Sequence, residues 1–292
     1  MSNKALKVLV LSGGGIFGMI PCHFLSLIDD EDFDKIDVIA GTSIGGILAL
    51  CYASELGVEK TRKLFKEAAP KIFKRNIFRR LMPGKTLYSS KEIESFLQKN
   101  LSGKVKDCPK KFVVPCMNFR KKSLVIFQNL DESYSDYDLW KIGRSTSAAP
   151  IFFEPFSESI LIDGGIIENV PIGIMFSMIQ KHLGVAQNKI DVFVLGSGMN
   201  HPDDDITLKK VKRFSLVRWA VELLPIIATE ANEMLSIIVG KNLGFRNFQY
   251  FNPVTIQGRL DDASQIEDGT LEESCEIYNS IFLQEWKKFL NF

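Results

Sequence analysis

A chain of 292 residues that is 46% hydrophobic and 24% charged has the composition of an ordinary globular protein and enough apolar side chain for one large core or two small ones. Its 36 lysines and arginines against 35 aspartates and glutamates leave a formal charge of +1, so no global field recruits nucleic acid. No apolar run approaches the ~18 residues of a membrane span, and the opening residues lack the apolar region and cleavage site of a signal peptide. Five scattered cysteines (Cys22, Cys51, Cys108, Cys116, Cys275) have no metal-ligand spacing and read as reduced and mostly buried, which predicts a cytoplasmic protein.

Lys7-Val-Leu-Val-Leu11 is a short continuous apolar run, the pattern of a buried parallel strand. It leads into Ser12-Gly-Gly-Gly-Ile-Phe-Gly18, after which a helix is expected through Pro21 to about residue 28. Three consecutive glycines raise the entropic cost of ordering the backbone; in return their N–H groups can turn toward an anion without obstruction. From Gly13 the spacing Gly-x-Gly-x-x-Gly18 formally matches a dinucleotide fingerprint, so a phosphate cradle is the competing reading. It takes second place because the next strand should then carry a ribose-binding acid near its end, and that strand runs instead into Gly41-Thr42-Ser43.

Residues 38–40 form that strand, and an apolar helix is expected from Gly46 to about Ser54. Between them, Gly41-Thr42-Ser43-Ile44-Gly45 is G-x-S-x-G in the strand–turn–helix setting of a nucleophile elbow. Such a turn is so tight that a Cβ at Gly41 or Gly45 would collide with neighbouring backbone. Ser43 is then held at the tip with its Oγ exposed, at a helix N-terminus that favours negative charge. The plainer alternative is a glycine-rich turn capped by a serine.

A helix over 59–73 is followed by a basic stretch from Lys71 to Met82, with Phe73, Ile77 and Leu81 on one face and Lys71, Arg75 and Arg79 on another. It reads either as a surface helix docked on the body, or as an interfacial segment on anionic lipid or a lid over the site. Ser89-Ser-Lys-Glu92 reads as a capping box opening a helix to about Leu101. Residues 111–118 and 123–129 look like paired strands, and a helix from about Asp138 must end before Pro150. A short strand, 159–162, stops at Asp163-Gly-Gly165, and Pro171 opens a helix to about His182. Residues 190–195 are again a buried strand, 208–239 are helical with Pro225 as a kink or break, 247–255 resemble a late strand, and 271–289 form a terminal amphipathic helix. Alternating strands and helices predict an α/β fold, a three-layer α/β/α sandwich around a mainly parallel sheet. With no repeat, low-complexity tract or linker, residues 1–292 count as one domain.

A serine hydroxyl is a poor nucleophile until a base takes its proton. Histidine usually serves, but a carboxylate within hydrogen-bond reach can do so if burial raises its pKa. Asp163, at a strand end followed by two glycines, is the candidate carboxylate; its plainer reading is a turn-capping aspartate. The rival bases are His23, His182 and His201, the last in a polar loop after the 190–195 strand.

Four blocks therefore stand in order: Ser12-Gly-Gly-Gly-Ile-Phe-Gly18, Gly41-Thr-Ser-Ile-Gly45, Ser147-Ala-Ala-Pro-Ile-Phe-Phe153, and Asp163-Gly-Gly165 with Asn169-Val-Pro171 behind it. Together they resemble the patatin-like phospholipase (lipid acyl hydrolase) family, and the resemblance extends to Gly84-Lys-Thr-Leu-Tyr88 and Leu260-Asp-Asp-Ala-Ser264. It implies a patatin-like fold, Ser43 as nucleophile and Asp163 as its partner in a dyad. The loop around Gly13, Gly14 and Gly15 would supply the oxyanion hole, with Gly41, Gly45, Gly164 and Gly165 supporting the elbow and the turn. It also implies hydrolysis of fatty-acyl esters of phospholipids, lysophospholipids or glycolipids at a membrane or micelle surface, with no metal or other cofactor. Peripheral membrane contact would fall to the stretch from Lys71 to Met82. Two positions depart from the family: Ser12 stands where Asp is usual, and Phe17 where Lys or Arg is usual. Without that cation, oxyanion stabilisation falls to backbone N–H groups and preference shifts toward neutral lipids or lysolipids. Two other readings stay open: an α/β-hydrolase or acyltransferase with a histidine-containing triad, and a catalytically silent lipid-binding or storage protein. The intact serine, glycine loop and aspartate argue against silence.

Overall fold

A computed structural model describes residues 5–54, 56–74, 85–157, 159–199, 207–215, 230–254 and 263–292. The apolar runs form one seven-stranded sheet: Leu6–Leu11 (β1), Val38–Gly41 (β2), Lys111–Asn118 (β3), Ser123–Gln128 (β4), Leu161–Asp163 (β5), Ile190–Leu195 (β6) and Asn247–Phe251 (β7). The order is β4-β3-β2-β1-β6-β7, with β5 paired to β3 off this path. The pairings β1–β2, β1–β6, β2–β3 and β6–β7 are parallel, whereas β4 and β5 run antiparallel to β3.

Strand side chains alternate between faces, and here both faces are apolar because both are covered. Leu9, Leu11, Ile39, Phe112, Phe193 and Leu195 pack on one side, beneath the helices Met19–Leu25, Ile44–Ala53 and Asn279–Asn291. Val8, Val10, Val38, Ala40, Val192 and Val194 pack on the other, beneath Ile172–Leu183, which contributes Ile172, Met175 and Ile179. The result is the expected three-layer arrangement around a mostly parallel sheet. Among the described residues no helix is long and apolar enough to cross a membrane.

Two expected helices are broken. The pattern over 208–239 yields Leu208–Val211 and Asn232–Asn242 in the described residues. The first ends when Arg213 and Phe214 donate to carbonyls three residues back, which tightens the last turn and stops it. The terminal pattern over 271–289 is two helices, Thr270–Glu276 and Asn279–Asn291. At the joint, Tyr278 donates its N–H to the Cys275 carbonyl and its hydroxyl to the Val254 carbonyl. The bend lets Leu271 and Cys275 bury themselves while Trp286 and Phe289 pack their rings on Phe193 of β6. The helix Val58–Ile72 reaches only the first residues of the basic stretch; its continuation from Arg75 to Met82, like Pro225 and His201, lies outside the described residues.

The placement of β5 matters most. At its N-terminal half β3 is paired on one edge with β2, where Ala40 faces Val113, and at its C-terminal half with β5, where Asp163 faces Cys116. Val113 and Cys116 both pair with β4 on the other edge, so β2 and β5 share one edge of β3. They run in opposite directions and end head to head, bringing the residues after Gly41 beside Asp163. The fit is close, since a Cβ on Gly164 would lie 2.4 Å from the Pro115 carbonyl oxygen of β3. Gly164→Ala should therefore push β5 off β3, at a cost of roughly 1–3 kcal/mol. Thermal melting should record a midpoint several degrees lower; an unchanged midpoint would mean that β5 has slack at this point.

Candidate active site

Ser43 follows β2 and precedes the helix Ile44–Ala53, with φ 57 and ψ −125. That left-handed backbone is uncommon for a residue with a side chain and costs on the order of 1–3 kcal/mol unless its surroundings enforce it. They do. The Ser43 N–H donates to Thr146 Oγ1 at 2.9 Å, Thr42 Oγ1 donates to the Glu168 carbonyl at 2.9 Å, and the Ser43 carbonyl accepts the Ile47 N–H at 3.0 Å. A Cβ on Gly41 would lie 2.2 Å from the Gly45 carbonyl oxygen, and one on Gly45 would lie 2.5 Å from that of Leu11. Both elbow glycines are thus required by backbone approach, as the spacing predicts.

Asp163 is 4% exposed. Its Oδ1 accepts the Gly165 N–H at 2.8 Å, its own N–H donates to the Ala148 carbonyl at 3.1 Å, and the Ser43 side chain lies near enough to its carboxylate to favour the charged form. Burial pushes its pKa up to about 6, outweighing the nearby Ser43 side chain and the Gly165 N–H, which favour the charged form. The start of the block Ser147–Phe153, with Thr146 just before it, is now explained. Thr146 holds the backbone of Ser43 and Ala148 holds that of Asp163, so one short segment sets both residues.

The glycine loop divides its backbone groups between structure and site. Gly13 is corrected from its expected role as a donor: its N–H is already given to the Asn169 carbonyl at 3.0 Å. The N–H groups of Gly14 and Gly15 have no acceptor among the described residues. Gly15 has φ 57, which glycine adopts freely. The Gly13 carbonyl accepts from Ser197 Oγ at 2.8 Å and Asn169 Nδ2 at 3.4 Å. Gly18, the last glycine of the dinucleotide fingerprint, is accounted for by packing, since a Cβ there would meet Ile44 Cγ1 at 2.3 Å.

Gly13, Gly14, Gly15, Ser43 and Asp163 line one cavity of about 830 Å³. Its wall is largely apolar, built by Ile47, Phe65, Ile93, Phe96 and Phe153 together with Phe17, whose ring is buried at the position of the expected cation. Neither described histidine reaches this cavity. His23 Nε2 is 2.8 Å from Asn279 Oδ1, and His182 Nδ1 is 2.9 Å from Asp131 Oδ2. The buried thiols of Cys22 and Cys51 are pushed up to about 12 by burial, far from a reactive thiolate.

Several residues of the site carry no local sequence signal. Beyond Thr146, a polar group at the cavity wall joins Asn169, Ser197, Glu233, Tyr250 and Asn252. Glu233 Oε1 accepts from the Tyr250 hydroxyl at 2.8 Å and from Asn252 Nδ2 at 3.0 Å, and burial pushes its carboxyl up to about 7. Asn169 alone lies in a block singled out from sequence.

Comparison with known proteins gives the same family as the motifs. The family model for patatin-like phospholipases matches residues 9–176, more than half of the chain. Among curated relatives, Probable inactive patatin-like protein 9 of Arabidopsis thaliana is 29% identical over 58% of this chain and 53% of its own. The cGAMP-activated phospholipase of Pseudomonas aeruginosa is 29% identical over 56% of this chain and 54% of its own, so the match spans about half the length of either relative. The crystal structure of VipD from Legionella pneumophila superposes with a TM-score of 0.56 at 11% identity, over 99% of this chain and 67% of that one, a likeness of fold.

The strain at Ser43 has a measurable signature. Ser43→Gly releases the backbone from the left-handed penalty while Ser43→Ala keeps it, so the glycine variant should melt a few degrees higher than the alanine variant. Glycine's own entropic cost, about 0.5–1 kcal/mol, works against this. A glycine variant that melts lower than the alanine variant would mean that the elbow is not strained.

Proposed function

The chain belongs to the patatin-like phospholipase family, and from that premise we propose that it is a serine acyl hydrolase of phospholipids, lysophospholipids or glycolipids working through a Ser43–Asp163 dyad. One observation carries the reading: a buried carboxylate with a pKa raised to about 6 stands beside a strained elbow serine, both lining one largely apolar cavity. The whole chain is read as one domain, because both apolar cores are built on the same sheet.

Asp163 accepts the Ser43 hydroxyl proton as Oγ attacks the ester carbonyl carbon. Its raised pKa makes it a stronger base than an ordinary carboxylate, yet it remains ionised at neutral pH. The carbonyl oxygen becomes an oxyanion, which the free N–H groups of Gly14 and Gly15 stabilise; one such donor is typically worth ~10²–10³ in rate. Collapse expels the alcohol, which takes the proton back from Asp163 and leaves an acyl ester on Ser43. Water then repeats the sequence, with Asp163 again as base, and the fatty acid departs. The acyl chain lies along the apolar wall. Phe17 offers a headgroup phosphate no cation, which favours neutral or lysolipid substrates. A histidine triad has no support among the described residues, since His23 and His182 are engaged elsewhere.

Ser43→Ala should abolish hydrolysis of a short-chain nitrophenyl ester, and residual turnover above a few per cent would place the nucleophile elsewhere. In the wild type, kcat/KM should fall as pH drops through about 6, where Asp163 takes up its proton. Glu233→Gln should keep that limb, and so should His23→Gln and His182→Gln. Loss of the limb in any of the three would reassign the base.

Asp163→Asn adds a stability test. The folded pKa of about 6 stands above the unfolded value near ~3.9, so as pH rises from 4 to 6 the unfolded chain ionises first and stability is lost. The loss is complete above pH 6 and amounts to roughly two pH units, on the order of 3 kcal/mol. The asparagine variant escapes it, so it should be inactive yet melt higher than wild type at pH 8, with the gain vanishing near pH 4. A variant that is destabilised at pH 8 would mean that Asp163 is not held against its own charge.

A further inference from the structure

The oxyanion donor assigned to Gly14 has no side chain to aim it, so something else must fix the direction of its N–H. A peptide unit is planar and trans, which makes the Gly13 carbonyl and the Gly14 N–H point in opposite directions across the same bond. Whatever holds that carbonyl therefore aims that N–H. The Gly13 carbonyl is held by Ser197 Oγ at 2.8 Å and by Asn169 Nδ2 at 3.4 Å. Ser197 lies so close over the loop that a Cβ on Gly14 would come within 2.2 Å of its Oγ. Neither holder is free to drift. The Asn169 N–H donates to Asn232 Oδ1 at 2.8 Å, and the Asn169 side chain lies beside the Glu233 carboxylate in the cavity wall. Glu233 is held in turn by Tyr250 and Asn252, and Asn252 Oδ1 accepts the N–H of Gly198, next to Ser197, at 2.7 Å. These neighbouring groups surround the Gly13–Gly14 peptide from both holders, Ser197 and Asn169.

We propose that Ser197 and Asn169 are positioning residues for the oxyanion hole: by anchoring the Gly13 carbonyl they turn the Gly14 N–H into the cavity, and Glu233 sets the Asn169 amide that completes the anchor. The proposal rests on the reading of Ser43 as nucleophile. It separates two roles within the same loop. The Gly13 carbonyl is the fixed end of the peptide, and the Gly14 N–H is the working end. A merely structural Ser197 would lower stability without distinguishing ground state from transition state, whereas an aiming residue acts on the oxyanion alone.

The test pairs turnover with a reversible inhibitor, a trifluoromethyl ketone whose hydrate-free carbonyl adds to Ser43 and places an oxyanion where the intermediate's would lie. Ser197→Ala should lower kcat on a nitrophenyl ester tenfold or more with KM within twofold of wild type, and should weaken the ketone by the same factor. Ser197→Thr, which keeps the hydroxyl, should recover most of both. Glu233→Gln, at the outer end of the bonds, should show the same split with a smaller loss, and serves if Ser197→Ala proves unstable. A kcat and a ketone affinity that both stay within twofold of wild type in Ser197→Ala and Glu233→Gln would overturn the proposal, as would a rise in KM alone. Stoichiometric labelling of Ser43 by a fluorophosphonate in the wild type and in each variant separates this failure from failure of the hydrolase reading, because a wild type unlabelled at Ser43 defeats both.

Discussion

The structure depends on two strands that end against each other. β2 and β5 occupy the same edge of β3 from opposite ends, so the chain leaving β2 at Gly41 and the chain leaving β5 at Asp163 meet over Pro115. Neither strand is long, and β5 has only three residues. Their meeting is enforced from outside by a single segment, in which Thr146 takes the Ser43 N–H and Ala148 the Asp163 N–H. Thr146 Oγ1 also donates to the Pro115 carbonyl at 3.2 Å, which ties that segment to the point where the two strands converge. Ser43 and Asp163, separated by well over a hundred residues, are thus set by one edge of one strand.

The site accumulates features that folding alone would not select. Ser43 is strained, Asp163 carries its charge in a buried place, and the N–H groups of Gly14 and Gly15 have no acceptor among the described residues. Each opposes stability by amounts typical of single mutations. They persist because the sheet beneath them is covered on both faces by apolar side chains, from Leu9 and Phe193 on one side to Val10 and Val194 on the other. The same features form a reactive set: a serine pinned in place, a carboxylate that gains from taking a proton, and donors awaiting negative charge. Strain and burial are concentrated where the proposed chemistry would need them.

What could be read from the chain follows from how local each constraint is. Gly41 was legible because its requirement lies within five residues, in the Gly45 carbonyl; Gly45 came with the same motif, although the carbonyl that a Cβ there would strike is that of Leu11 on the neighbouring strand β1. The buried runs at β1 and β6 were legible because continuous Val and Leu leave little alternative. The role proposed for Asp163 came through a motif, but its proximity to Ser43 comes from the register of β5 on β3, which no short window encodes. The commitment of the Gly13 N–H to Asn169 is a contact between distant segments, and it removes one of three expected donors. Ser197, Glu233, Tyr250 and Asn252 belong to the same class: ordinary polar residues at strand and helix ends, given meaning only by what they touch. The breaks before Lys212 and at Tyr278 were hidden because apolar periodicity continues across them while the chain changes the surface it packs on.

The most direct measurement is to trap the acyl-enzyme. The protein is mixed with a slowly deacylating long-chain nitrophenyl ester, quenched in acid within the first turnover, and mapped by peptide mass spectrometry. The account predicts one acyl group per chain, on the peptide carrying Ser43, absent from Ser43→Ala and nearly absent from Asp163→Asn. Turnover with the acyl group on any other residue, or an acylated Ser43 that forms at the wild-type rate without Asp163, would contradict it.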